Sequence, residues 1–394
     1  MQQIRILIAG GGIGGLNTAL ALIQRGFQVT VYEQSPDLYE FGAGVGIMPN
    51  GSRVLCSLGL QSALEAIASV PKVREMRLFN TGQSWPLPGL DAAARFRSPF
   101  WVVHRGDLHQ VLAKAVEEQA PGTIHVGRRC VSFQQDVTGV KLLLEGGEQI
   151  KGDALIGADG VHSRIRRQMF GEGRATFTGF MAWRAVIPMQ RVDAHFASTF
   201  SVWLGPSGQV VTYPIRKDTL LNFAATITRG DWLFESWLQA GTAEECREDF
   251  PDWHSDVQAI VNAIDVPYKW ALIGRPPLER CSIGRVALLG DAFHPTLPVL
   301  GQGANMALED GMVLARCLEA SDDVPEALQR YERARLERTT RIVENSFENA
   351  MRMRNPELSD PNRAQSFMDR QFSPNALGAR FDWMYEYDAA SVVV

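Results

Sequence analysis

Two glycine turns, far apart in the chain, restrict its possible folds more than any other feature. The run IRILIA, apolar but for Arg5, breaks at Gly10; Gly10, Gly12 and Gly15 then stand at GxGxxG spacing before a helical pattern that ends at Gly26. A second apolar run, QVTVYEQ, follows, so the opening reads as strand, turn, helix, strand. Much later GRVALLGD ends another apolar run, and a Pro-punctuated loop leads through GQGAN into a further helical pattern. The first turn has a specific use. Its glycines permit a tight bend and close backbone approach to a pyrophosphate, and the helix start supplies partial positive charge. Glu33 closes the second strand, where a carboxylate can accept hydrogen bonds from a ribose diol. A plain glycine turn followed by a surface glutamate would share these letters. Strand, helix and Glu33 together favour a dinucleotide, although FAD and NAD(P) share the adenosine-ribose-pyrophosphate handle and this unit does not choose between them.

The chain has 394 residues. Single cores stop growing at roughly 250–300 residues, so two or three lobes are expected. With 45% apolar and 21% charged residues it has ordinary globular composition, and no run approaches the ~20 apolar residues of a membrane span. A formal charge of -5 attracts no polyanion, and Arg330 to Arg341 alternates with Glu332 and Glu337 as on a solvated helix face. Neither nucleic acid nor membrane is an expected partner. The five cysteines form no CxxC and have no histidine at ligand spacing, which points to reduced structural thiols and no metal. The start reads as strand rather than signal segment, so a cytoplasmic location is expected.

Hydrophobic patterning divides the chain into an α/β fold with a Rossmann-like, three-layer dinucleotide-binding domain (1–72, 101–175 and 271–324). Inserted in it is a mainly β-sheet domain (73–100 and 176–270), with Trp183 and Tyr213 on its strands and a helical stretch running to Ala263. A C-terminal helical region (325–394) is helical and charged to about Arg354, then Pro-rich and polar.

GGGIGG with Glu33, HRGDLH around Arg105, GADGVHSRIR and GDAFHPTLPVLGQGANMALED occur in this order across nearly the whole chain. In that set the sequence resembles the class A flavoprotein aromatic hydroxylases, the 4-hydroxybenzoate hydroxylase-like, single-component FAD monooxygenases. The resemblance implies FAD as cofactor, NADH or NADPH as transient reductant, and O2 and a small aromatic as substrates. Gly10, Gly12, Ile13, Gly14 and Gly15, with Glu33 and Gln34, would hold the adenosine half. Arg105, Gly46 and Val131 would contact the FAD, and Asp159 would serve FAD and the reduced nicotinamide. Asp291 would bind the ribityl chain, and Gly301, Gly303 and Ala304 the pyrimidine end of the isoalloxazine. For Asp159 and Asp291 ordinary turn chemistry is the competing reading.

At the reacting end the resemblance implies His294 at the edge of the active site, Pro298 beside it, and Arg184 and Tyr213 from the sheet domain, as candidates for activating the substrate. The reaction would be hydroxylation of a salicylate- or hydroxybenzoate-like phenol by a flavin hydroperoxide. A free phenol has a pKa of about 10, so the pocket must favour the anion. Gln209 and Pro298 depart from the His and Gln that 3-hydroxybenzoate 6-hydroxylases tend to carry there, and Gly46 from the His of 6-hydroxynicotinate hydroxylases. Hydroxylation or epoxidation of a heteroaromatic on the same scaffold is the alternative, and a non-catalytic dinucleotide-binding protein a remote one; the latter would be colourless.

Overall fold

The computed structural model describes residues 4–38, 43–87, 92–173, 176–229 and 239–394. Pro88, read as part of the excursion at 73–100, and residues 230–238, at the start of the expected Trp-marked helix, lie outside the described residues. A six-stranded sheet runs in the order Ser282–Ile283, Val286–Leu288, Ala154–Gly157, Arg5–Ala9, Gln28–Tyr32 and Ile124–His125. It is parallel except for the hairpin of its first two strands. Ile6, Leu7 and Ile8 have no exposed surface, as expected of a central parallel strand covered on both faces. Helices Ile13–Ile23, Arg105–Gln119 and Gly303–Glu319 pack with this sheet, and an antiparallel meander, Cys130–Gln135, Val140–Leu144 and Gln149–Gly152, lies against it.

The first glycine turn is required by sterics. Gly10 has φ +111°, and a Cβ there would stand 2.3 Å from the Ala158 carbonyl oxygen. A Cβ on Gly15 would stand 2.0 Å from the carbonyl oxygen of Gly10. No side chain fits either place.

A seven-stranded sheet forms the second lobe, in the order Tyr268–Gly274, Thr176–Pro188, Leu220–Thr228, Gly208–Ile215, Thr199–Gly205, Val73–Leu78 and Ser84–Pro86. Residues 73–86 therefore join strands from 176–274 in one sheet, through the parallel pairing of Thr199–Gly205 with Val73–Leu78. Successive side chains of a strand point to opposite faces. Leu221, Phe223, Ala225 and Ile227 pack in a core with Phe250, Val257 and Ile260 from the helical stretch; Asn222, Ala224 and Thr226 between them face a cavity instead.

The tail holds three helices: Val324–Arg352, Pro361–Gln371 and Pro374–Tyr385. Prolines that read as irregular structure instead start helices, with Asp360 and Ser373 capping the following N–H groups. Proline suits the first turn, where its missing N–H would be unpaired anyway. Among the described residues no helix is long and apolar enough to cross a membrane.

Candidate active site

Two cavities share Gly12, Arg105, Ala158 and Gly160 as walls. The first, of about 610 Å³, is lined by Gly10, Gly12, Glu33, Gln34 and Asp159. Glu33 is fixed by two backbone donors: Gly11 N–H to Oε2 and Ser35 N–H to Oε1, each 2.7 Å. The carboxylate is thereby held rigidly beside the turn. Asp159 accepts from the Ser163 hydroxyl at 2.5 Å and from the N–H groups of Arg164 and Ile165 at 2.8 and 3.2 Å. Its turn role is therefore real, and it also borders the cavity. Burial raises its pKa, and these hydrogen bonds partly oppose the rise. His109, which the sequence did not single out, hydrogen-bonds the Gly11 carbonyl through Nε2 at 2.6 Å and ties the turn to helix Arg105–Gln119.

Four expected contacts lie elsewhere; Ile13 lines the second cavity rather than the first. Gly15 packs on the Gly10 carbonyl. Val131 sits at a β-bulge, and its neighbour Cys130 lines the cavity instead; burial, then Asp159 and Glu33, push the Cys130 thiol up to about 12. Gly14 borders the second cavity, not the first, where it lets Leu289 and Ala307 approach its helix.

The second cavity, of about 400 Å³, takes one wall from Ile13, Gly46, Asp291, Pro298, Gly301, Gly303 and Ala304. The Asp291 carboxylate is exposed to it, with no hydrogen-bond partner among the described residues. The Pro298 carbonyl accepts from Gly301 N–H at 3.0 Å, closing the short turn that presents Gly301. Asn305 braces this wall: its Nδ2 donates to the carbonyls of Gly46 and Gly301, and its Oδ1 accepts from Met48 N–H.

The facing wall is the second sheet. Arg184, Gln209, Tyr213, Asn222 and Thr226 rise from it among Val202, Val211 and Ala224. Arg184 lies over the Trp270 ring, 4.2 Å from its centroid; burial, then repulsion from Arg105, lower its pKa to about 9, so it stays cationic at neutral pH. Burial pushes the Tyr213 hydroxyl well up, with Arg184 opposing in part. Tyr213 is thus a neutral O–H, a donor rather than a base.

His294 corrects an expectation. It is 3% exposed, lines neither cavity, and its Nε2 binds Asp310 Oδ2 at 2.5 Å. Asp310 also accepts from Gly290 N–H and from Arg335 Nε, and Arg335 pairs with Glu309, which binds Arg338. Burial would raise the pKa of Asp310, but His294 and Arg335 outweigh it and hold the carboxyl at about 2. His294 therefore ties the 290–294 turn to the helices behind it.

The cavity is closed by the C-terminal region, through Met353, Phe372, Leu377, Phe381 and Tyr385, and by Arg74 from the sheet. Nothing in the sequence patterns assigned these residues to the site.

The walls fit FAD. Helices Ile13–Ile23 and Gly303–Glu319 both start without a side-chain cap, which leaves their first N–H groups for an anionic or carbonyl ligand. Among the described residues Asn222 Nδ2 and Gln209 Oε1 have no hydrogen-bond partner at the second cavity, where both are buried, and such groups need a ligand or water. Residues 3–346 match the family model described as an FAD binding domain. The chain belongs to this flavoprotein family. Within it, the chain is 35% identical over 392 residues to the 3-amino-4-hydroxybenzoate 2-monooxygenase PtnB3 of Streptomyces platensis, covering 98% of this chain and 97% of the relative. It is 36% identical over 351 residues to a 3-hydroxybenzoate 6-hydroxylase of Polaromonas naphthalenivorans, covering 88% and 87%. These relatives place it among the flavin-dependent aromatic monooxygenases of the family. The fold matches that of a single-substitution variant of Klebsiella pneumoniae HpxO complexed with FAD, with a TM-score of 0.85, 24% identity and coverage of 98% and 99%.

Proposed function

We propose that this flavoprotein uses NAD(P)H and O2 to hydroxylate a small aromatic that already carries a hydroxyl group, of the salicylate or hydroxybenzoate kind. The observation that carries the reading is the sheet face opposite the Gly301–Ala304 wall, where a cationic Arg184 and a neutral Tyr213 stand among apolar side chains. Bound FAD, reduced by NAD(P)H, supplies oxygen activation. The protein's own task is to hold the ring and favour its phenolate. A fixed positive charge stabilises an anion in a site of low dielectric, and a hydroxyl that keeps its proton can donate to the phenolate oxygen. Arg184 supplies the first and Tyr213 the second. Asp291 would accept from the ribityl hydroxyls, and the N–H groups at Gly303 and Ala304 would face the pyrimidine carbonyls. Apolar closure by the C-terminal region limits water beside the reacting atoms.

The test is to purify the protein, record its flavin spectrum, and follow NAD(P)H oxidation with a panel of hydroxybenzoates and aminohydroxybenzoates, seeking products heavier by one oxygen. A colourless protein, or NAD(P)H consumption without oxygenated product across the panel, would overturn the reading.

A further inference from the structure

Strand Gly208–Ile215 carries Tyr213 into the cavity and ends in a turn that its own residues do not favour. Arg216, Lys217 and Asp218 have φ of +50°, +54° and +64°, three consecutive residues in the left-handed region, where a Cβ crowds the following carbonyl. Such a conformation persists only where its surroundings impose it. Here each of the three reaches the first lobe. Arg216 Nε and Nη2 donate to the two carboxylate oxygens of Asp107 at 2.8 and 2.7 Å. Lys217 Nζ donates to the Glu65 carbonyl at 2.5 Å, and Asp218 N–H to the Ser69 hydroxyl at 3.0 Å. His104 Nδ1 lies 3.4 Å from both Asp107 Oδ1 and Arg216 Nη2. Asp107 stands in the first turn of helix Arg105–Gln119, two residues after Arg105, which borders both cavities. A bidentate pair fixes orientation as well as distance. Tyr213 is three residues from Arg216, joined to it by the buried Pro214 and Ile215. Its ring is clasped between the lobes, stacked on Phe200 with centroids 5.2 Å apart and planes at 7°. On the first lobe it lies so close to Gly44 that a Cβ there would stand 2.4 Å from Tyr213 Cε2.

We propose that Arg216 and Asp107 are positioning residues: their pair latches the end of strand Gly208–Ile215 to helix Arg105–Gln119 and so sets the Tyr213 hydroxyl at hydrogen-bond distance from the bound phenolate. The proposal rests on the hydroxylase reading above, in which Tyr213 is the donor. A ring seated against the first lobe meets a hydroxyl carried by the second, so the donor is only as well placed as the lobes are registered. An O–H···O bond holds within about 2.5–3.0 Å and weakens steeply with misalignment, which leaves little tolerance for slippage. Both side chains of the pair are partly exposed, and such pairs add little to stability. The latch therefore serves geometry more than folding. Neither residue lines the second cavity, and both act on the phenol through Tyr213.

The experiment uses the FAD-loaded full-length protein without NAD(P)H. The ionisation of bound 3-hydroxybenzoate, 4-hydroxybenzoate and 3-amino-4-hydroxybenzoate is followed by difference absorbance against pH. A donor to the phenolate oxygen favours the anion, so in wild type the midpoint of at least one bound phenol should lie about one unit or more below its value in free solution. Arg216→Met should raise that midpoint by about half a unit to one unit, a three- to tenfold loss of bound phenolate at neutral pH. The melting temperature should move by no more than about 4 °C. Asp107→Asn should do the same from the other lobe, and it carries the test where Arg216→Met fails to fold. Arg216→Lys should fall between, because the charge remains and the fork is lost. In a Tyr213→Phe background Arg216→Met should add nothing, since the group it positions is gone. Midpoints unmoved in both Arg216→Met and Asp107→Asn, or a further rise of equal size in the Tyr213→Phe background, would overturn the proposal. Turnover separates it from the broader reading: midpoints that shift as expected in a protein forming no oxygenated product would remove the hydroxylase and leave the latch.

Discussion

Single residues carry the chemistry, and their environments divide those legible in the sequence from those that were not. The place of Glu33 was legible because it follows from the end of a strand beside a glycine turn; Gly11 and Ser35 account for how its carboxylate is held. Glu33→Ala should lower FAD affinity by ~1.5–3 kcal/mol, the scale of charge-assisted contacts, with circular dichroism retained; flavin remaining after dialysis is the measurement. His294 was misread because a histidine between Phe293 and Pro295 looks the same whether it faces substrate or a buried carboxylate. Its bond to Asp310 is a contact between residues on different elements. Tyr213→Phe should leave flavin reduction by NAD(P)H largely intact and divert oxygen to hydrogen peroxide, because only the donor to the phenolate is removed. A loss of about 1.4 kcal/mol at that step slows it about tenfold, and product formed per NAD(P)H consumed reads the effect. Unchanged coupling would assign the activation to another group.

At the scale of elements, helix Gly303–Glu319 has two roles. Its start lines the second cavity and its middle carries Glu309 and Asp310 into the buried ion network with Arg335, which has no exposed surface. Removing one member of such a buried pair leaves charge uncompensated and costs about 3–5 kcal/mol. Asp310→Asn should therefore lower the urea midpoint strongly at pH 7. The pH dependence follows from the depressed carboxyl. Its folded pKa of about 2 lies below the ordinary value of 3.8, so its contribution is fully present above about pH 4 and is lost as pH falls through about 2. The gap in stability between wild type and Asp310→Asn should accordingly narrow in acid, and a gap independent of pH would deny the carboxylate its role. The last two tail helices were hidden because Pro361 and Pro374 resemble loop punctuation until capping residues are paired with them.

For the whole molecule, the candidate active site is a cavity where three regions meet: the parallel-sheet lobe, the antiparallel sheet and the C-terminal helices. Leu377, 1% exposed, lines the cavity. Leu377→Ala should cost about 2–5 kcal/mol in stability and raise the share of NAD(P)H oxidised without product, since it opens the wall that excludes water; thermal melting together with peroxide yield checks both. The sequence by itself determined the α/β class, the glycine turns, the place of Glu33 beside the first of them and the family, because each depends on local backbone geometry or on a motif of contiguous residues. Only the tertiary structure decided that Arg74 and the C-terminal helices wall the cavity, that His294 does not, and that Arg184 and Tyr213 share one sheet face. Those facts depend on which side chains meet across elements far apart in the chain, and strand alternation fixes that two faces exist without saying what covers each.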